Sequence, residues 1–166
     1  MKLKYVLILI AALYITACQS KKESNQPTVA QTGYEDIDNI TQRIANNPND
    51  PELYFSRANW YYEYNGYENA INDLQQALSM DSTNIDYLHS LADVYLDYYK
   101  SRLALETMEK TVELHPEHIH SLLKLSEFQL ILTKYDASLK TIDRILKLDP
   151  QNAEAYFMMG MTFKDM

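Results

Sequence analysis

The sequence predicts an all-α solenoid of stacked two-helix hairpins, with three full repeats, a single helix ahead of them and part of a fourth repeat behind. Two observations carry that prediction. Pro48, Pro116 and Pro150 share one register of a 34-residue period, with Ser82 in the remaining slot. When the chain is written in lines of that length, large and small apolar residues fall in the same columns of every line. A proline after a helix cannot continue it, having no amide proton to donate and a ring that clashes with the preceding turn, so breaks in phase mean hairpins of equal length.

The front of the chain is expected to be processed and not folded. Lys2 and Lys4 precede an apolar run from Val6 to Ala12, which continues through Leu13, Tyr14 and Ile15 to the small residues Thr16 and Ala17 before Cys18. This run is too short for an ordinary membrane-spanning helix. Ile15-Thr16-Ala17-Cys18 resembles the lipobox of bacterial lipoproteins, which implies a signal peptide over 1–17, a lipid on Cys18 and a cell-envelope location. In Gram-negative lipoproteins the lack of an aspartate directly after the cysteine implies the outer membrane, here facing the periplasm. Cys18 is the only cysteine, so no internal disulfide can form and packing must supply the stability. Residues 18–34 are polar and without apolar periodicity, which reads as a flexible tether in which Lys21 and Lys22 can meet anionic headgroups.

The folded part is expected over 35–166. Ile37, Ile40 and Ile44 lie on one face of a helix near 35–46, ahead of Asn47-Pro48-Asn49-Asp50. Its other face, with Asp36, Asn39, Gln42, Arg43 and Asn46, is polar, as the outer surface of a capping helix must be. Repeats follow over about 51–84, 85–118 and 119–152, with a partial one over 153–166. First helices are placed near 52–64, 86–98, 120–132 and 154–164, and second helices near 67–80, 101–114 and 135–148. Fourth positions are Tyr54, Leu88, Leu122 and Tyr156, eighth positions Ala58, Ala92, Ser126 and Gly160, and eleventh positions Tyr61, Tyr95, Gln129 and Phe163. Twentieth positions are Ala70, Ala104 and Ser138, and twenty-fourth positions Leu74, Met108 and Ile142.

Small residues at the eighth and twentieth positions let the two helices of a hairpin approach, while large ones at the fourth, eleventh and twenty-fourth fill around the contact. This arrangement resembles the tetratricopeptide repeat from Pro51 to about Asp165 and implies that family's right-handed α-solenoid. Arg57 in a leucine column, Gln129 in the aromatic column and Ile145 in a small-residue column depart from the pattern. The last helix holds Tyr156, Phe157, Met158, Met159, Met161 and Phe163 with no second helix after it. It reads as an uncapped end, either truncated or open to self-association.

Little in the chain suggests catalysis or a cofactor. The three glycines, at 33, 66 and 160, make no phosphate-binding loop, no serine sits in a nucleophile elbow, and the lone cysteine is assigned to lipid. Asp93 and Asp97, one helical turn apart, read as a solvated face. His115, His118 and His120 have ligand-like spacing but lie mainly in inter-repeat turns, so neither a metal nor another cofactor is assigned. A net charge of −8 disfavours nucleic acid, which needs clustered cations.

The resemblance places partner binding on the concave face, lined by first-helix residues. The candidates are Phe55, Asn59, Tyr62 and Glu63 in the first repeat, His89, Asp93, Leu96 and Asp97 in the second, and His120, Lys124 and Glu127 in the third. Only Asn59 and Lys124 match the residue types of family members that grip a carboxylate. The lining is acidic and aromatic, which suits a protein or peptide segment carrying Lys or Arg beside apolar anchors. Most tyrosines fall in packing columns, and Trp60 is expected to pack towards the capping helix. The expected function is therefore a non-enzymatic, membrane-anchored adaptor. The alternatives are the front part of a larger repeat protein with its activity further on, or a binder of a small envelope ligand such as a glycan or metal.

Overall fold

A computed structural model of the protein describes residues 32–166; the expected signal peptide, Cys18 and nearly all of the tether lie outside the described residues. The chain there forms eight α-helices: α1 Glu35–Asn46, α2 Pro51–Glu63, α3 Tyr67–Met80, α4 Ile85–Asp97, α5 Ser101–Leu114, α6 Ile119–Ile131, α7 Tyr135–Leu148 and α8 Ala153–Asp165. The second helices and the lone α1 have the expected bounds, and each first helix begins one residue earlier than expected. None of these helices is long and apolar enough to cross a membrane.

Each first helix of the repeats starts on a side chain that accepts a hydrogen bond from its first turn. Asp50, Asn84, His118 and Asn152 do so for α2, α4, α6 and α8, and Pro51 adds a preset φ at the start of α2. The second helices start differently. Within each hairpin one residue takes the left-handed conformation, Asn65 at φ 58, Tyr99 at φ 58 and Thr133 at φ 57. The next amide donates back five residues, from Gly66 to Tyr61, Lys100 to Tyr95 and Lys134 to Gln129, at 2.7, 2.8 and 2.7 Å. That bond closes the last turn of the first helix and reverses the chain tightly.

Packing follows the columns. Ala58, Ala70, Ala92, Ala104, Ser126 and Ser138 are all 0% exposed, as small residues at a close helix crossing must be. In the third hairpin, where both are serine, the Ser138 hydroxyl donates to the Ser126 carbonyl at 3.0 Å, so the polar atom at the crossing is satisfied. Leu74, Met108 and Ile142 fill the space beside these contacts.

The three departures from the pattern are absorbed without disturbing the stack. Arg57 is paired with Asp73 of α3. Gln129 is buried and accepts from Thr141 Oγ1 at 2.8 Å. Ile145 is fully buried in the main core. Ile40 and Ile44 of α1 pack with Leu53 and Tyr54, so α1 covers the front of the first hairpin. Trp60 stacks beside Tyr64 at 6.0 Å, and Tyr64 stacks on Tyr34 at 4.2 Å. Its approach to the front of the stack is thus made through an exposed row of rings. At the other end, Tyr156, Phe157 and Phe163 of α8 are 54%, 66% and 61% exposed.

First and second helices occupy different sides of the stack. α2 packs against α4 and α6 against α8, whereas second helices of successive repeats make no comparable contact among the described residues. A stack whose first helices converge while its second helices splay is curved, with the first helices on the inside.

Candidate partner-binding face

The inner face is built from α2, α4 and α6, and its polar groups are arranged as bridges between repeats. The Tyr62 hydroxyl donates to Asp97 Oδ2, and the Tyr87 hydroxyl donates to Glu52 Oε1; each pair is 35 residues apart. Lys124 Nζ lies 2.7 Å from Asp93 Oδ1, and His89 Nε2 lies 2.8 Å from Ser121 Oγ. Tyr87 also packs its ring against Phe55, centroid to centroid 4.9 Å.

These contacts correct the expectation that Asp93 and Asp97 form a simple solvated pair. Asp93 is half-buried and Asp97 is exposed, yet each is held by a residue of a neighbouring repeat. Burial pushes the Asp93 carboxyl up from its usual range, and Lys124 opposes that rise. The phenols of Tyr62 and Tyr87 are pushed up as well, first by burial and then by the carboxylates they donate to. Lys124 therefore cannot act as a free carboxylate clamp. Its ammonium is committed to Asp93 and lies 5.7 Å from the Phe128 ring centroid.

Of the remaining candidates, Asn59, Glu63, His120 and Glu127 are exposed. Phe55 and Leu96 are half-buried and packed against the core. Asp86, another inner-face carboxylate, is also exposed. The face offers a partner several free carboxylates around two partly covered apolar side chains, with its one inner-column cation already neutralised.

The histidines regroup. His115 points its Nε2 at the Thr83 carbonyl, 2.8 Å away, and takes no part in a cluster. Its place is taken by His89, whose ring lies 6.3 Å from that of His118 and 5.5 Å from that of His120. Among the described residues no three His, Cys, Asp or Glu side chains converge as metal ligands. Sequence reasoning missed Tyr87 and Ser121 as members of the inner-face network, although the inner columns already held Glu52. The available signal was complementary polar residues separated by about one repeat, such as Glu52 with Tyr87 and Tyr62 with Asp97.

The sequence matches no known family model and no curated protein. The fold, in contrast, is well represented among solved structures and is that of tetratricopeptide-repeat proteins. A tetratricopeptide repeat protein from Parabacteroides merdae superposes with a TM-score of 0.70 at 19% identity, covering 77% of this chain and 51% of that one. YrrB, described as a TPR protein with an unusual peptide-binding site, gives 0.62 at 19% identity over 78% of this chain and 66% of its own. The first TPR of Spaghetti (RPAP3), solved with the HSP90 peptide SRMEEVD, gives 0.59 at 20% identity over 69% and 91%. This chain thus spans about half the length of the Parabacteroides protein and two thirds of YrrB.

Proposed function

We propose that this protein is a lipid-anchored interaction scaffold of the bacterial cell envelope, held through Cys18 to the outer membrane on its periplasmic side. In this reading its inner face takes a protein or peptide segment carrying Lys or Arg beside apolar anchors. Peptide binding by similarly folded proteins supports the class of partner. The observation that carries the chemistry is the set of exposed carboxylates, Glu63, Asp86, Asp97 and Glu127, around Phe55 and Leu96, with Lys124 neutralised by Asp93. A cationic segment is attracted to such a face, and its apolar side chains complete the half-covered ones. No reaction is part of the proposal.

A photo-crosslinking side chain at Asn59, on the inner face, tests the partner in intact envelopes, with the same group at Glu109, exposed on the second helix α5, as control. A basic partner crosslinked from Asn59 alone, weakened by salt and lost with Glu63→Lys and Glu127→Lys together, is the expected result. Equal crosslinking from both sites, or capture unaffected by the double charge reversal, overturns the binding face. Cys18→Ser tests the anchor separately: the variant should leave the membrane fraction, and one that stays there rules out attachment by lipid.

A further inference from the structure

We propose that the edge of the stack formed by the turns inside the hairpins rests on the lipid bilayer, with Trp60, Tyr64, Tyr99 and Ile131 in its headgroup zone. The inference rests on attachment through Cys18 and adds to it which way the attached domain faces.

The three turns share one edge. Tyr67, which follows the first turn, stacks on Tyr98 of the second at 5.3 Å, and Leu132 and Lys134 of the third share a cleft with Ser101 and Arg102 just after the second. Large apolar side chains lie bare along this edge: Trp60 is 37% exposed, Tyr64 38%, Tyr99 93% and Ile131 54%. Tyr99 is the most telling. It holds the left-handed conformation at φ 58, which is costly for a tyrosine, and its ring lies almost wholly in solvent. Neither the turn nor the core accounts for an aromatic side chain there.

The opposite edge differs. Its turns, 47–50, 81–84, 115–118 and 149–152, contain no Trp, Tyr, Phe or Ile, and the exposed apolar residues beside them are Leu114, Leu148 and, on α8, Tyr156. Tryptophan and tyrosine suit the zone between water and acyl chains because each joins an apolar ring to one polar group.

The path of the chain into the fold selects the bilayer as occupant. Cys18 precedes Tyr34 by about 16 residues, at most about 55 Å of extended chain. Thr32 is fixed to Asp38 through its amide and hydroxyl, at 2.8 and 2.9 Å, and the Tyr34 ring stacks on Tyr64 at 4.2 Å. The chain therefore enters the fold on the turn edge, beside these rings. Attachment at Cys18 brings that edge to the membrane first, since the opposite one is farther by a helix length, about 20 Å.

Charges near the rings are mixed. Lys100 and Lys134 lie in the turns, with Glu63, Glu68 and Asp97 close by, so the edge suits a zwitterionic surface and gains little from anionic lipid. Four side chains are too few to hold the chain to a membrane alone, so the contact orients a domain that is already attached. With this edge down, the helices stand away from the bilayer and the inner face opens sideways to a partner.

Trp60 is the only tryptophan and Cys18 the only thiol, so the full chain carries its own reporter and attachment point. It is coupled through Cys18 to a maleimide-bearing lipid in vesicles of phosphatidylcholine and phosphatidylethanolamine. Trp60 fluorescence should then be quenched more by lipid brominated near the headgroup than by lipid brominated near the chain end. Tyr99→Asn with Ile131→Ser, at exposed positions that leave the hairpins intact, should lose most of that quenching. Leu114→Ser with Leu148→Ser, on the opposite edge, should keep it. Unquenched Trp60 in the attached wild type overturns the contact, as does quenching that needs anionic lipid or that responds equally to the two pairs of substitutions. Coupling replaces the native lipid, so these outcomes do not bear on lipidation, which the membrane fractionation of Cys18→Ser reads separately.

Discussion

Arg57 grips Asp73 through two parallel hydrogen bonds, Nε to Oδ2 and Nη2 to Oδ1, both 2.7 Å long. The guanidinium also donates from Nη1 to Thr41 Oγ1 at 3.1 Å, so one side chain in a column expected to be leucine ties α1, α2 and α3 together. Both partners are largely covered, at 16% and 9% side-chain exposure. Removing one leaves the other charge buried and unpaired. Arg57→Ala should therefore lower the unfolding free energy by about 2 to 4 kcal/mol, whereas Arg57→Leu with Asp73→Leu should recover most of it. Urea denaturation of the two variants beside wild type measures the difference.

Ala92 and Ala104 mark the crossing of the second hairpin, and neither leaves any surface exposed. Ala92→Leu forces extra methyl groups into a filled contact and should cost about 1 to 3 kcal/mol. A thermal melt that matches wild type would show that the crossing is not close.

Thr133 is a β-branched residue at φ 57, exposed at the turn of the third hairpin, where the first hairpin has Asn65 in the same conformation. Its crowded Cβ makes that backbone costly, while asparagine tolerates it. Thr133→Asn should raise stability by about 0.5 to 1 kcal/mol, read as a higher urea midpoint with an unchanged slope.

Tyr156 and Phe163 occupy the columns that in the second repeat are Leu88 and Tyr95, which are buried against their own hairpin. On α8 both are exposed, and apolar surface of this kind drives association. Tyr156→Ser with Phe163→Ser should lower the concentration-dependent mass of this polypeptide in light scattering. Equal masses for wild type and variant remove α8 as a contact surface.

Much of the fold was legible because the repeat is a local pattern. The bounds of α1, α3, α5 and α7 follow from apolar spacing and from the breaks at Asp81, Pro116 and Pro150. The small crossing residues stand out because only small side chains fit there. The left-handed turn residues were not legible: Tyr99 and Thr133 are poor local formers of that conformation, and the hairpin imposes it on them. The candidate face was read as a list of residues, correctly placed on the first helices but not correctly partnered. Nothing within one repeat reveals that Asp93 binds Lys124 or that His89 reaches Ser121.

The sequence by itself determined the helices, their hairpin pairing and the period at which they stack, because these depend on contacts between residues near in the chain. Only the tertiary structure decided which carboxylates remain free and which histidines meet. Those outcomes depend on side chains from successive repeats being brought within hydrogen-bond distance, where burial and neighbouring charge, absent from any single repeat, set what each group can do.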